Sequence, residues 1–255
     1  MDPFVRRRPP RRGGAYAPGG LVAGVLAPWL FVVAVAVVAS GCRRPGFSQL
    51  TTFVSELGEA GSPTAGIVNP AFVVVGVLLM WFALALNSGA VVALGGRGAP
   101  GDRCSAAEVF GGRVARRFGV VGAGFVVMAL WTCSTGCPIA VVNGGATPSD
   151  ALHNAAAIGA LMSLASAALM VGAELSRDQR GVPGFYAAAS TRAGALMGGL
   201  CATFFLSVLV ANRTAIGVSE RLLLLAGLAW VEVTAIVARR IARADAREGA
   251  KLRAA

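Results

Sequence analysis

Apolar and polar positions are segregated along this chain into long blocks. Six blocks hold roughly 20 mostly apolar residues each, the length at which an α-helix crosses a hydrocarbon core: Leu21–Gly41, Ile67–Asn87, Phe118–Cys137, His153–Glu174, Ala193–Asn212 and Leu222–Ile241. Lipid offers no water to unpaired backbone groups, so each block is expected to be helical throughout. The pattern predicts an all-α polytopic membrane protein, a six-transmembrane-helix bundle over residues 21–242. A basic, disordered arm is expected at 1–20 and a basic tail at 243–255. An even number of crossings places both termini on one side.

Composition removes the main alternatives. Only 14% of the residues are charged and 56% are hydrophobic, with a mean hydropathy of +0.69. Soluble domains carry about a quarter charged residues, and disordered chains combine low hydrophobicity with high charge, so neither class fits. Five Cys are too sparse for a disulfide-stapled secreted module.

Charge supplies the orientation. Nineteen of the 23 Lys and Arg lie in the N-terminal arm, the second and fourth connections and the C-terminal end, and basic connections tend to stay cytoplasmic. The other four are Arg43, Arg44, Arg213 and Arg221, and Pro138–Leu152 contains none. Both termini are therefore expected in the cytoplasm of a cell-membrane protein. The net charge of +11 then reflects orientation and contact with anionic lipid. Membrane lipids are the expected partners, and nucleic acid is not. The first block ends Ala39-Ser40-Gly41-Cys42, similar to a lipoprotein leader, but it is longer than the roughly 7–15 residues of a leader's apolar region. It is expected to be retained.

Within lipid, close packing of small residues brings helices together. Gly20/Gly24, Gly194/Gly198 and the row Ala156, Ala160, Ser163 and Ala167 offer such faces. Glu232 is the one acid deep inside a block, where an ionised carboxylate is costly unless paired. It reads as a proton or cation site, or as a neutral carboxyl tying helices together, with Ser163, Ser166, Thr203 and Ser207 at similar depth. Asn212-Arg213-Thr214 is a glycosylation triplet abutting the membrane and carries no weight.

A second polar group is expected at the outer face. The first outer connection carries Arg43, Arg44, Ser55 and Glu56; the third carries Ser134, Asp150, His153 and Asn154. Asp150 sits where it can cap the fourth helix, with His153 one turn in. The plain reading is a capping acid with an interfacial histidine; the sharper one is an acid/base pair beside Ser55 and Glu56, with Arg43 or Arg44 holding a phosphate or carboxylate. Cys133 and Cys137 are candidates for a disulfide, with free thiols and a bond to Cys42 as alternatives. Their spacing matches no zinc signature, and neither metal nor cofactor is expected.

At these two connections the residues form a recognisable pattern. Arg44-Pro45-Gly46-Phe47-Ser48-Gln49-Leu50, then Val54-Ser55-Glu56-Leu57-Gly58 with Ser62-Pro63 and Asn69, resembles the first-loop signature of the DUF998 family of multi-pass membrane proteins. Cys133-Ser134-Thr135-Gly136-Cys137-Pro138, followed by His153-Asn154 opening the next helix, resembles a second family segment. Members often read Phe-Pro-Cys-Asp where this chain has Trp131-Thr132-Cys133-Ser134, so a frequently acidic position is Ser134 here. The resemblance implies a fold and a location but no reaction. The Ser-Glu-Leu-Gly run is also distantly similar to a loop of the Frag1/DRAM/Sfk1 membrane proteins, some of which concern lipid handling.

The function expected from these residues is binding of a lipid or lipid-linked head group at an outer-face pocket, with Arg43, Arg44, Asn69 and Asn154 as ligand contacts. One alternative is a lipid-directed hydrolase or transferase using Ser55, Glu56, Asp150 and His153. Another is a small transporter using Glu232.

Overall fold

The computed structural model describes residues 17–41, 48, 50–87, 110–134, 137–177 and 184–254. Its elements are α1 (Ala17–Gly41), α2 (Ala65–Asn87), α3 (Arg113–Leu130), the short α4 (Cys137–Val142), α5 (Pro148–Arg177), α6 (Gly184–Leu209) and α7 (Arg213–Ala254). One turn of 3-10 helix, Ser55–Gly58, lies between α1 and α2. Among the described residues four helices are long and apolar enough to cross a membrane: Ala65–Asn87, Pro148–Ser176, Gly184–Leu209 and Arg213–Arg240. An integral membrane protein follows from these apolar helices. The described apolar part of α1 is shorter, Gly19–Val35, and α3 opens with Arg113, Arg116 and Arg117.

The six long helices form a closed ring. α1 packs on α2, α2 on α3, α3 on α5, α5 on α6, α6 on α7, and α7 returns to α1. Small residues set several of these seams. A side-chain carbon on Gly20 would overlap the Ala85 methyl, and one on Gly24 would meet the Phe82 ring. Gly76 and Gly122 face each other so closely that a carbon on either would strike the other's carbonyl oxygen at 2.5 Å. Such backbone approach gains dispersion energy that lipid tails cannot match. Inside the ring lie Leu79, Val121, Ala167, Ala168 and Val231, all buried. Phe118 stacks on Trp230 at 5.6 Å and meets Phe82 edge-on at 5.0 Å, linking α2, α3 and α7. Leu84, Leu206 and Leu225 point outward, as lipid-facing residues do.

Helix ends differ from the apolar blocks at several boundaries: α6 begins at Gly184, nine residues before the expected Ala193, and α5 at Pro148, five before His153. The third block is expected to be helical to Cys137, but α3 stops at Leu130, because residues 131–134 turn aside to bond α5. α7 starts at Arg213, nine residues before the expected Leu222, so Glu220 and Arg221 are helical. The fifth block reaches Asn212, whereas α6 ends at Leu209.

Residues 210–212 make the α6–α7 turn. The Asn212 N–H donates to Ser207 O at 2.9 Å and the Ala211 N–H to Val208 O at 3.1 Å, the two bonds of a Schellman motif. Ala211 occupies its left-handed position with φ 52°. Asn212 Oδ1 then accepts the Ala215 N–H at 3.1 Å and caps α7. The glycosylation triplet thus has a structural use for its asparagine. Because a Cβ in the left-handed region costs about 1 kcal/mol, Ala211→Gly is expected to stabilise the protein by about that amount. Thermal unfolding in detergent would register it as a raised midpoint, and a lowered midpoint would contradict the role given to this turn.

Candidate functional site

Two connections meet at one end of the ring, termed here the upper end. Residues 50–64 cover it from one side and residues 131–134 and 137–147 from the other. Phe53, Val54 and Leu57 are buried, and their burial pulls the first connection down onto the helices.

Once folded inward, that connection exposes backbone groups no helix satisfies, and α7 supplies partners for them. The Val54 and Ser55 N–H groups donate to Glu220 Oε2 and Oε1 at 2.7 and 3.3 Å. Arg221 donates to Thr52 O at 2.7 Å and to Gly217 O at 3.0 Å. Gly217 is bare where the Leu50 carbonyl crosses α7, and any side chain there would strike it. Glu56 accepts the Phe53 N–H at 3.3 Å and pairs with Arg213 at 2.8 Å. The Arg213 guanidinium also lies 5.1 Å from the Phe53 ring centre. On the α2 side, Asn69 Nδ2 donates to Gly58 O at 2.9 Å and Thr64 Oγ1 to Leu57 O at 2.5 Å.

The other connection is organised by Asp150. Thr147-Pro148-Ser149-Asp150 opens α5 as a capping box, with proline in the first helical position, where its missing N–H costs nothing. The Asp150 carboxylate accepts from Thr147 N–H at 2.9 Å and Thr147 Oγ1 at 2.8 Å. It also accepts from Ser134 N–H at 2.8 Å and Ser134 Oγ at 3.0 Å. It is fully buried. Ser149 Oγ donates to Thr132 O at 3.0 Å. Cys133 and Cys137 form a disulfide with Cα atoms 5.7 Å apart. Their sulfurs and the Asp150 carboxylate lie within 4.8 Å of one another. The sulfurs are spent on each other and the carboxylate on four hydrogen bonds, so this trio offers a metal no free donor.

His153, one turn into α5, caps the end of α3. Its Nδ1 lies 3.1 Å from Met128 O and 2.9 Å from Trp131 O, two carbonyls left open where α3 stops. Facing two acceptors, Nδ1 must carry the hydrogen, and Nε2 of the neutral ring is then an acceptor. The side chain is buried and Nε2 has no partner among the described residues. Asn154 Nδ2 donates to Asp150 O at 2.7 Å.

Between the two connections lies a cavity of about 60 Å³. Ser55, His153, Asn154 and Glu220 line it at the upper end, and the rest of its wall is apolar, including Phe72, Phe125, Phe204, Phe205 and Leu223. Ile158 and Met162 of α5 also line it and are themselves 38% and 50% exposed on the bundle's flank. At the α5–α6 seam Gly194 packs tightly against Leu169, but Gly198, one turn higher on the same face, meets nothing within 4 Å. Gly198 is exposed there, and the cavity wall includes Ile158 and Met162, which are exposed on the same flank.

Of the residues singled out in the sequence, Ser55, His153 and Asn154 share the cavity. Asp150, Glu56 and Asn69 are engaged in holding the connections. Among the described residues no hydrogen bond joins Ser55, Glu56 or Asp150 to His153. Arg43 and Arg44 lie outside the described residues. Glu232 is away from the cavity: it accepts the Trp29 Nε1–H at 2.9 Å across the α1–α7 seam. Ser166, Thr203 and Ser207, set at similar depth by the sequence, bond carbonyls of their own helices instead. Glu220 was not legible as a site residue, because an acid beside an arginine at the edge of an apolar block reads as ordinary interface. Its one signal is Gly217, a small residue one turn away that permits another chain segment to approach.

A model of the family described as "Protein of unknown function (DUF998)" matches residues 22–237. No curated protein and no solved structure matches the chain.

Removing the Asp150 carboxylate orphans four donors, and hydrogen bonds to charged groups are worth about 1.5–3 kcal/mol. Asp150→Ala is expected to lower stability by about 2–3 kcal/mol. Arg213→Ala, removing a half-exposed partner, is expected to cost about 1 kcal/mol. Denaturant unfolding of both variants in detergent checks the order; equal losses would contradict the assignment of Asp150 as the organiser of its connection.

Proposed function

The chain belongs to the DUF998 family, and we propose that it holds a lipid or lipid-linked amphiphile in the upper cavity, polar group uppermost. In this reading the protein crosses the cell membrane six times with both termini in the cytoplasm, and the upper end faces outward. The observation that carries the lipid assignment is the cavity's polarity. Four polar side chains gather at one end of an otherwise apolar wall, and that wall includes Ile158 and Met162, exposed on the bundle's flank. A soluble metabolite needs no such flank; a lipid enters by one.

The hydrolase alternative has less support. Ser55 and His153 line the same cavity, but the imidazole Nδ1 is oriented by backbone carbonyls, and among the described residues no carboxylate hydrogen-bonds to it. The transporter alternative relied on Glu232, which bonds Trp29 and does not line the cavity.

Native mass spectrometry of the purified full chain is expected to show a co-purifying lipid. In Ala157→Phe, which fills the cavity wall, its occupancy is expected to fall about tenfold, a change of roughly 1.4 kcal/mol. Unchanged occupancy would overturn the reading. Orientation is open to impermeant thiol labelling of single-cysteine variants. Gly145→Cys is expected to label on intact cells and Arg243→Cys only after permeabilisation. The reverse result would invert the protein, and labelling of both from one side would remove the even number of crossings.

A further inference from the structure

The balance of donors and acceptors at the polar end of the cavity identifies the ligand's head more narrowly than a lipid assignment does. Resting on that assignment, we infer that the cavity takes a cationic amphiphile, an ammonium group carrying an apolar chain, with Glu220 as its counter-charge.

The polar groups facing the cavity are predominantly acceptors. His153 Nε2 is a buried lone pair without a partner among the described residues. Asn154 spends Nδ2 on Asp150 O and Cys137 Sγ, which leaves its Oδ1 to accept. Glu220 accepts two backbone N–H groups and retains further lone pairs. Among the described residues that line the cavity, the donors left are the Ser55 hydroxyl and the weak Cys201 thiol.

Charge points the same way. Among the described residues neither Lys nor Arg lines the cavity. Arg221 directs its donors to the carbonyls of Thr52 and Gly217, and Arg213 pairs with Glu56. Among the described residues no cation lies within ion-pair distance of Glu220. A carboxyl beside an apolar cavity gains from a counter-charge brought by the ligand. A phosphate or carboxylate head would instead meet acceptors and a second acid. An ammonium offers N–H donors to the acceptors, and the Phe204 and Phe205 rings in the wall favour a cation near their faces. About 60 Å³ accommodates several water-sized groups, which suits a head and its first carbons. The remaining chain would leave between Ile158 and Met162 into lipid.

Three single-chain probes of equal length separate the possibilities: octylamine, octanol and octanoate. Each is titrated calorimetrically into the purified full chain in phosphatidylcholine nanodiscs, with empty nanodiscs subtracted. Octylamine is expected to bind saturably and at least about tenfold tighter than octanol, with octanoate weakest. Glu220→Gln, which keeps an acceptor for the first connection, is expected to bring the amine within about threefold of the alcohol. Octanol binding as tightly as octylamine, with both lost in Ala157→Phe, would overturn the ammonium inference while leaving the lipid-binding reading intact. Absence of saturable binding by amine and alcohol alike would count against that reading and remove the inference with it. Should Glu220→Gln fail to fold, the ranking of the three probes on the unmodified protein decides the matter.

Discussion

The upper end of the bundle depends on the requirement that backbone groups withdrawn from water find partners. A helix meets that requirement internally, but a connection folded into the bundle cannot. Residues 50–64 lie against the helices because Phe53, Val54 and Leu57 are buried there. Glu220, Arg221, Asn69 and Thr64 then supply the missing acceptors and donors. These ties place Ser55 beside the cavity. The same requirement governs the opposite side, where α3 stops early and His153 and Asp150 take up groups left open.

The cavity is a consequence of these ties. Each connection is fastened to a different helix, the first chiefly to α7 and the third to α5, and the space between them is closed by neither. Below it Gly227 packs against Leu164 and Gly124 against Ala160, beside a smaller apolar cavity of about 10 Å³. Above the Gly194–Leu169 contact, Gly198 faces open space and the cavity lining includes the exposed Ile158 and Met162. One end of the bundle is cross-linked, and the flank beneath it carries these exposed lining residues.

Several features were legible in the residues alone. Apolar block length located the six long helices, since a 3.6-residue helix in lipid requires an unbroken apolar run. Gly20 and Gly24 were recognisable as a packing face and meet α2. Block length did not locate helix ends. Apolar residues continue past Leu130 and Leu209, and the chain leaves the helix there because Ser134 and Ala211 are bonded elsewhere. Polar character extends before Leu222, yet α7 begins at an Asn212 cap. The Gly76–Gly122 contact was likewise hidden, because Gly76 stands alone in its block, Gly122 is one of several glycines in its own, and only packing pairs them.

The sequence by itself determined membrane residence and an all-helical architecture, because both follow from local chemistry: apolar length and the cost of unpaired backbone in lipid. It also marked Ser55, His153 and Asn154 as worth attention. Tertiary structure decided how the polar residues are used. Asp150 and Glu56 could serve as reacting acids or as ties, and residue type does not distinguish the two roles. Which donors lie within 3 Å of them does, and those donors come from segments distant in sequence, Ser134 for Asp150 and Arg213 for Glu56. Glu220 became a cavity residue for the same reason, since its surroundings are set by a connection more than 160 positions earlier in the chain.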